Sequence, residues 1–137
     1  MPDNKAVVRT FYKALGSGNA ELMRTVIGDD IQAVCTGSSF MAGTRSAADI
    51  LGALGLLSSL TKAGIDFKIL SMTAEEDRVA CETEGQSTLV NGTPYNNQYF
   101  MLFFLRDGKI YRLHEYMDSK LVDAALGPLV AAAAKQA

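Results

Sequence analysis

One acidic side chain stands in an otherwise largely apolar row near the end of this 137-residue sequence. If residues 110–117 form a strand, Tyr111, Leu113, Glu115 and Met117 share one face, because side chains alternate with a period of two. Seclusion from water costs an ionised carboxylate several kcal/mol, roughly, unless it is paired, protonated or facing a wet cavity. Glu115 is therefore the first candidate for a proton-transfer group in a pocket, with Leu113 and Met117 as its apolar surroundings. The alternative is a structural carboxylate that only accepts hydrogen bonds.

Polar residues on two other predicted strands could join this site. Glu82 and Glu84 alternate along residues 78–89, and Glu84 would be an acidic partner of Glu115 if their face lines the same pocket. The other interpretation is a solvated or dimer-rim face. Asn97 and Tyr99 share a face of the next strand, where they could orient a carbonyl group or a water molecule, or form a structural network.

Three further side chains are candidate site residues. Tyr12, on the first predicted helix, could donate a hydrogen bond into the cavity, although it also fits a core position. Cys35 has no obvious base partner, and His114 lies on the strand face opposite Glu115. With one His and two Cys in the chain, we expect no metal site, and the absence of a phosphate-binding glycine motif predicts no cofactor.

The elements that would position these residues alternate between two periodicities. Apolar residues at helical spacing predict helices over 5–15, from Asn19 to Gly28, and after Ser46, whose "SAAD" resembles a capping box. Strand alternation marks 29–36 and four segments after residue 65, joined by the turns "AEED", "VNGT" and "RDGK". A final helix is expected from Ser119. The order predicts one α+β domain over residues 1–137, with three N-terminal helices on one face of an antiparallel sheet.

The predicted strand around residues 99–105 is apolar on both faces, which indicates that both faces are covered. Helices cover one face. A second copy of the protein would cover the other and form a homodimer through the sheet, unless the C-terminal helix lies there.

Composition limits the classes of partner. The chain has 13 basic and 15 acidic residues with no basic cluster, so we expect no nucleic-acid binding. It has no uninterrupted apolar stretch of about 18 residues, which predicts no membrane insertion. The start "MPDNKAVV" has no apolar signal region, so the expected location is cytoplasmic, with both cysteines reduced.

Several motifs together resemble a known superfamily. They are "ALGSGN" after the first helix, "MAGT" before the third, and "YNNQYFMLFFLRDGKIYRLHEYMD" near the end. The most specific parts are Tyr95-x-Asn97-x-Tyr99, Asp107-Gly108-Lys109-Ile110 and Glu115-Tyr116-x-Asp118. The sequence is similar to the nuclear transport factor 2-like fold, and within it to the SnoaL-like group, which includes polyketide cyclases and relatives of ketosteroid isomerase. The resemblance implies a cone-shaped curved sheet, a homodimer, and a deep apolar pocket between the sheet and the helices.

The resemblance does not carry over a known reaction. The isomerase positions fall at Cys35 for the base, at Phe11 for the tyrosine, with Tyr12 one residue along, and at Phe100 for the oxyanion carboxylate. None retains its functional group. In the epoxide-hydrolase pattern the two acids fall at Glu115 and Glu84, but Glu82 stands where that mechanism needs an arginine.

Two classes of function follow. The first is an enzyme of the SnoaL-like type that performs acid/base chemistry on an apolar, carbonyl-bearing metabolite, as an isomerase, cyclase or hydrolase. Glu115 and Glu84 would be the catalytic residues, and the substrate would contact the residues Tyr12, Cys35, Asn97, Tyr99, Leu113 and Met117. The second is a domain of the same fold that binds a hydrophobic ligand or dimerises without catalysis. The enzyme hypothesis predicts a closed pocket of roughly several hundred Å³.

Overall fold

The computed structural model describes residues 3–136 and shows helices packed against one six-stranded sheet. The elements before the meander are α1 (Asn4–Ser17), α2 (Ala20–Arg24), β1 (Ile27–Cys35), β2 (Gly43–Arg45) and α3 (Ala47–Leu60). They are followed by β3 (Asp66–Glu75), β4 (Arg78–Gln86), β5 (Asn97–Arg106), β6 (Lys109–Met117), α4 (Ser119–Ala125) and α5 (Gly127–Gln136). This confirms the α+β class, and the order of elements agrees with the predicted one except for the short strand β2 before α3. No helix within residues 3–136 has the length and apolarity to cross a bilayer.

The sheet is curved and open, with the strand order β2-β1-β6-β5-β4-β3. Strands β3 to β6 pair as antiparallel neighbours, which the hairpin turns predicted. The expectation of a wholly antiparallel sheet is wrong, however, because β1 pairs with β6 in the parallel direction. Parallel pairing needs a long crossover, and the whole chain between β1 and β6 provides it.

Helix boundaries follow their capping residues. Asn19 caps the start of α2, and Ser46 forms a capping box with Asp49 at the start of α3, as the sequence predicted. Asp3 caps the start of α1. The predicted C-terminal helix is two helices, α4 and α5, which meet at Leu126 before the Gly127-Pro128 pair.

The main core forms where α1 crosses the sheet. Helix α1 buries Val8, Phe11, Tyr12 and Ala14, and the rings of Phe11 and Tyr12 pack edge-on against Phe103 of β5 at 5.2 and 5.8 Å between ring centres. A second apolar cluster joins the end of α3 to the C-terminal helices through Leu60, Ile65, Leu89, Tyr95, Val122 and Leu126. The two clusters leave room between α3 and the sheet.

The last strand departs from the predicted alternation at one residue. Phe104 pairs with Arg112 and Leu105 pairs with Ile110, so Tyr111 is the extra residue of a β-bulge. Tyr111 therefore turns to the outer face, where its hydroxyl donates to Asp77 at 3.1 Å, and Ile110 takes the buried position. The prediction that Tyr111 shares a face with Glu115 is wrong, because a bulge shifts the period by one residue.

Candidate active site

A cavity of about 110 Å³ lies between α3 and the inner face of the sheet. It is smaller than the several hundred Å³ that the sequence analysis expected. Its walls are mainly aliphatic and aromatic side chains from both layers, including Phe11, Ile50, Leu57, Phe67, Met101, Leu113, Met117 and Leu126. Of the described residues that line it, Glu115 and Arg45 are the two that carry a formal charge.

Glu115 reaches this cavity because of its place in the sheet. It pairs directly with Cys35 of β1 on one side and with Met101 of β5 on the other. Cys35 and Met101 are both buried, so the carboxyl group is held between apolar neighbours. Within residues 3–136 the Glu115 carboxyl forms neither an ion pair nor a hydrogen bond at standard distances.

Burial controls the electrostatics of Glu115. It raises the pKa of the carboxyl from 4.5 to about 7, and the positive charge of Arg45 acts in the opposite direction. A carboxyl group with a pKa near 7 is present in both protonation states at neutral pH. It can therefore both accept and donate a proton there, as a general acid/base requires.

Two tyrosines line the same cavity. Tyr99 lies on the inner face of β5, and Tyr95 lies in the segment just before it. Burial raises the pKa of the Tyr95 hydroxyl and raises that of Tyr99 well above its usual value, so both remain protonated donors at neutral pH. The side-chain amide of Asn97 donates to the Tyr95 hydroxyl oxygen at 3.1 Å, which leaves the Tyr95 proton free to be donated elsewhere.

The structure places four other predicted substrate-contact residues at the cavity and two away from it. Cys35, Tyr99, Leu113 and Met117 line it. Tyr12 does not: it is a core residue that is 3% exposed, with its hydroxyl 3.4 Å from that of Thr83. Asn97 is also removed from the cavity, since it is 2% exposed and bonds to Tyr95, to the Asp118 carbonyl and to its neighbour Gln98.

The predicted acid pair does not form. Glu84 pairs with Lys68 and Gln98 on the outer face of the sheet, whereas Thr83 and Gly85 next to it point inward. Glu82 is likewise exposed on the outer face, opposite Phe100. Glu84 as the catalytic partner of Glu115 is therefore a wrong prediction, because the sheet separates the two carboxylates. Their outer-face position agrees with the other interpretation, a solvated or dimer-rim face.

His114 lies on the outer face, as predicted. It accepts a hydrogen bond from the Arg112 guanidinium at 3.0 Å and packs edge-on against Phe104, with ring centres 5.4 Å apart. It does not contact the Glu115 cavity.

Arg45 is the site residue that the sequence analysis missed. It is the last residue of the three-residue strand β2, which pairs with β1. In this pairing Arg45 lies beside Ala33, and Cys35 is the next residue of β1 on the same face as Ala33. The segment before it, "GSSFMAGT" (37–44), has the composition of a loop. A three-residue edge strand has too little alternation to be detected in a sequence. The basic charge directly before the Ser46 capping box was the available signal.

Comparison with protein families shows which family the sequence belongs to. The model of the SnoaL-like domain matches residues 8–113. The chain belongs to the SnoaL-like domain family. This confirms the resemblance that the sequence motifs of this SnoaL-like protein indicated. The matched range includes Arg45, Tyr95 and Tyr99, and it ends two residues before Glu115.

Solved structures share the fold of this SnoaL-like protein. PrhC from Penicillium brasilianum has a TM-score of 0.82 at 17% identity, covering 97% of this chain and 89% of its own. IdmH from Streptomyces antibioticus, a candidate polyketide cyclase, has a TM-score of 0.75 at 19% identity, with 91% and 99% covered. A ketosteroid isomerase-like protein from Catenulispora acidiphila, in complex with trimethylamine, has a TM-score of 0.75 at 18% identity, with 88% and 92% covered. At these identities the likeness establishes the fold alone. None of the curated proteins matches this sequence significantly.

Proposed function

We propose that this SnoaL-like protein is a cofactor-independent acid/base enzyme that acts on a small, mostly apolar metabolite bearing a carbonyl group. The observation that carries the proposal is the Glu115 carboxyl, which has no ion-pair or hydrogen-bond partner within residues 3–136 and lies in an apolar cavity. An ionised carboxyl that faces an apolar cavity without a partner weakens the fold, so its presence is best explained by proton transfer to or from a bound molecule.

In the proposed reaction, ionised Glu115 removes a proton from the carbon next to the substrate carbonyl, and protonated Glu115 returns it at another position. The electron pair left on carbon moves into the carbonyl group, and its oxygen becomes an enolate oxygen. The Tyr95 hydroxyl is the proposed donor to that oxygen, since Asn97 already fills an acceptor site on Tyr95. Asn97 is thus a positioning residue, and Tyr99, Cys35, Leu113 and Met117 shape the cavity around the substrate.

A non-catalytic ligand-binding protein is the second candidate. The placement of Glu84 outside the cavity favours this alternative, because it leaves Glu115 without a second acidic residue. The small volume of the cavity, about 110 Å³, favours it as well. Both candidates need the same pocket, so the Glu115 carboxyl must distinguish them.

The test compares ligand capture and turnover by wild type and Glu115→Gln. Each purified protein is incubated with a small-metabolite extract, and the bound and altered compounds are identified by mass spectrometry. We expect Glu115→Gln to bind the same compound and to convert it about 10²–10⁴-fold more slowly. Glu84→Gln is the matched control, because it makes the same change on the outer face. Equal turnover by wild type and Glu115→Gln would exclude Glu115 as the proton-transfer group, and binding without any turnover would support the second candidate.

We also propose that two copies associate through the outer face of the sheet. Phe100 and Tyr116 are each 49% exposed there, and Leu70 is 43% exposed, so the face presents an apolar patch to water. Leu102 and Phe104 on β5 extend the patch and are only partly buried. Burial of this patch against a second copy would explain why β5 is apolar on both faces.

A further inference from the structure

Arg45 brings a positive charge to a cavity that is otherwise apolar apart from Glu115 and three weakly polar groups. Its guanidinium lies near enough to the Cys35 thiol and to the Glu115 carboxyl to lower the pKa of both, against the larger opposing effect of burial. Arg45 is itself partly buried, so its charge has lost part of its water. A partly desolvated guanidinium is costly unless an anion is near it.

The described part of the chain gives Arg45 no direct counter-ion. The ion pairs within residues 3–136 are Arg78 with Glu75 and Arg106 with Asp30. The acidic residue nearest in sequence, Asp49, uses its carboxylate to accept the Ser46 backbone amide at 2.9 Å as part of the helix cap. Glu115 shares the cavity but lies beyond ion-pair distance, and its protonated form carries no charge. The cavity therefore has in its wall a guanidinium group that forms no ion pair within the described residues.

We propose that this pocket binds a small apolar monocarboxylate, with the ligand carboxylate on the Arg45 guanidinium and its hydrocarbon part against the α3 and β5 side chains. The planar guanidinium fork matches a carboxylate through two parallel hydrogen bonds. Ile50 and Leu57 on one side and Met101 on the other supply the apolar walls for the chain. This inference shares the pocket with the proposed function but does not require catalysis. A measurement of ligand binding is therefore enough to test it.

The cavity volume limits the size of this ligand. One water-sized group needs about 10–15 Å³ of such space, so a cavity of about 110 Å³ holds a ligand of roughly ten non-hydrogen atoms. Octanoate has about this size, and octanamide is its neutral counterpart of nearly the same shape. The two probes differ in charge and in hydrogen-bonding pattern but not in apolar volume.

The experiment measures the affinity of octanoate and octanamide at pH 6 by titration calorimetry. Wild type should bind octanoate about tenfold more tightly than octanamide, which is the preference expected for hydrogen bonds to a charged group. Arg45→Met keeps the apolar stem and should abolish that preference while octanamide affinity stays unchanged. Arg45→Lys should retain part of it, and Lys62→Met, which removes an exposed charge outside the cavity, should retain all of it. If Arg45→Met does not fold, as judged by circular dichroism, the test is whether Arg45→Lys prefers octanoate over octanamide less strongly than wild type does.

A pH series adds a second readout. The titratable and charged groups that face a bound carboxylate are Arg45, Glu115, Cys35, Tyr95 and Tyr99. As the pH rises from 6 to 8, Glu115 ionises and repels the ligand, so octanoate affinity should fall in wild type and stay constant in Glu115→Gln.

Two results would overturn the inference. Equal affinity of wild type for octanoate and octanamide would show that Arg45 does not select an anion, and the acid/base proposal for Glu115 would be unaffected. Failure of both probes to bind would reject the ligand class, and the metabolite comparison with Glu115→Gln would then decide the proposed function separately.

Discussion

The carboxyl of Glu115 makes the stability of the protein depend on pH. Its folded-state pKa is about 7, above the ordinary value of 4.5, so between these pH values the folded state keeps a proton that the unfolded chain has released. The protein is therefore most stable below pH 4.5 with respect to this group, and that stability is lost as the pH rises through 7.

The first prediction concerns this residue. Glu115→Gln keeps the shape of the side chain and cannot ionise, so it should be about 3 kcal/mol more stable than wild type at pH 8 and nearly as stable as wild type at pH 4.5. The measurement is urea unfolding at the two pH values. Glu84→Gln should change stability by less than about 0.5 kcal/mol at either pH, because its side chain is on the outer face. A pH-independent difference between wild type and Glu115→Gln would contradict the raised pKa.

The second prediction concerns Asn97, whose side chain satisfies three partners inside the protein. Asn97→Ala leaves the Tyr95 hydroxyl and the Asp118 carbonyl without this donor, and should lower the free energy of unfolding by about 2–3 kcal/mol. Gln98→Ala, at the exposed neighbouring position, is the control and should change it by less than about 0.5 kcal/mol. Similar melting temperatures for the two variants would show that the network contributes little.

Alternation along the strands was enough to predict Glu115, Leu113 and Met117 on one inner face, because they lie in an unbroken stretch after the bulge. It could not decide which face of β4 points inward, since both faces carry polar residues, Glu84 on one and Thr83 on the other. It also could not locate the bulge at Tyr111, which depends on the partner strand. Face assignment and register are set by pairing between strands, which a single sequence does not contain.

At the scale of elements, local signals predicted the helix caps and the hairpin turns, and distant pairings were missed. The Asp107-Gly108 turn has φ values of 53° and 75°, which the residue pair favours without help from the rest of the fold. The parallel pairing of β1 with β6 and the short strand β2 have no such local code. The position of Arg45 depends on both, which is why the sequence analysis found acidic candidates and no cation.

The third prediction compares two glycines in different elements. Gly52 lies on the exposed side of α3 with open space around it, whereas a Cβ on Gly16 would overlap the Ile65 carbonyl oxygen. Gly52→Ala should stabilise the protein by about 0.5–1 kcal/mol, because alanine is the better helix former. Gly16→Ala should destabilise it by about 2–3 kcal/mol, because the end of α1 must move away from β3. Thermal unfolding of both variants measures the effects, and the same sign for both would contradict this packing.

At the scale of the whole molecule, the proposed assembly uses the outer face of the sheet. The fourth prediction is that the protein in solution has about twice the chain mass of 14.7 kDa, and that Phe100→Asp converts it to the single-chain mass. Phe100 is half exposed, so an aspartate there is compatible with folding of the single chain. Light scattering after size-exclusion chromatography gives the mass. Val90→Asp, at a 50% exposed position in the β4–β5 connection, should leave it unchanged, and a monomeric wild type would contradict the proposal.

The parallel pairing of β1 with β6 also has a consequence for the order of events during synthesis and folding. Thr36 donates to the carbonyl oxygen of Glu115 across 79 positions of the chain, so the walls of the cavity cannot meet until β6 has left the ribosome. The β3–β6 meander can pair locally before that, whereas closing so long a loop carries a large entropic cost. The Cys35–Glu115 contact should thus form after the rate-limiting step, and substitutions there should accelerate unfolding more than they slow folding.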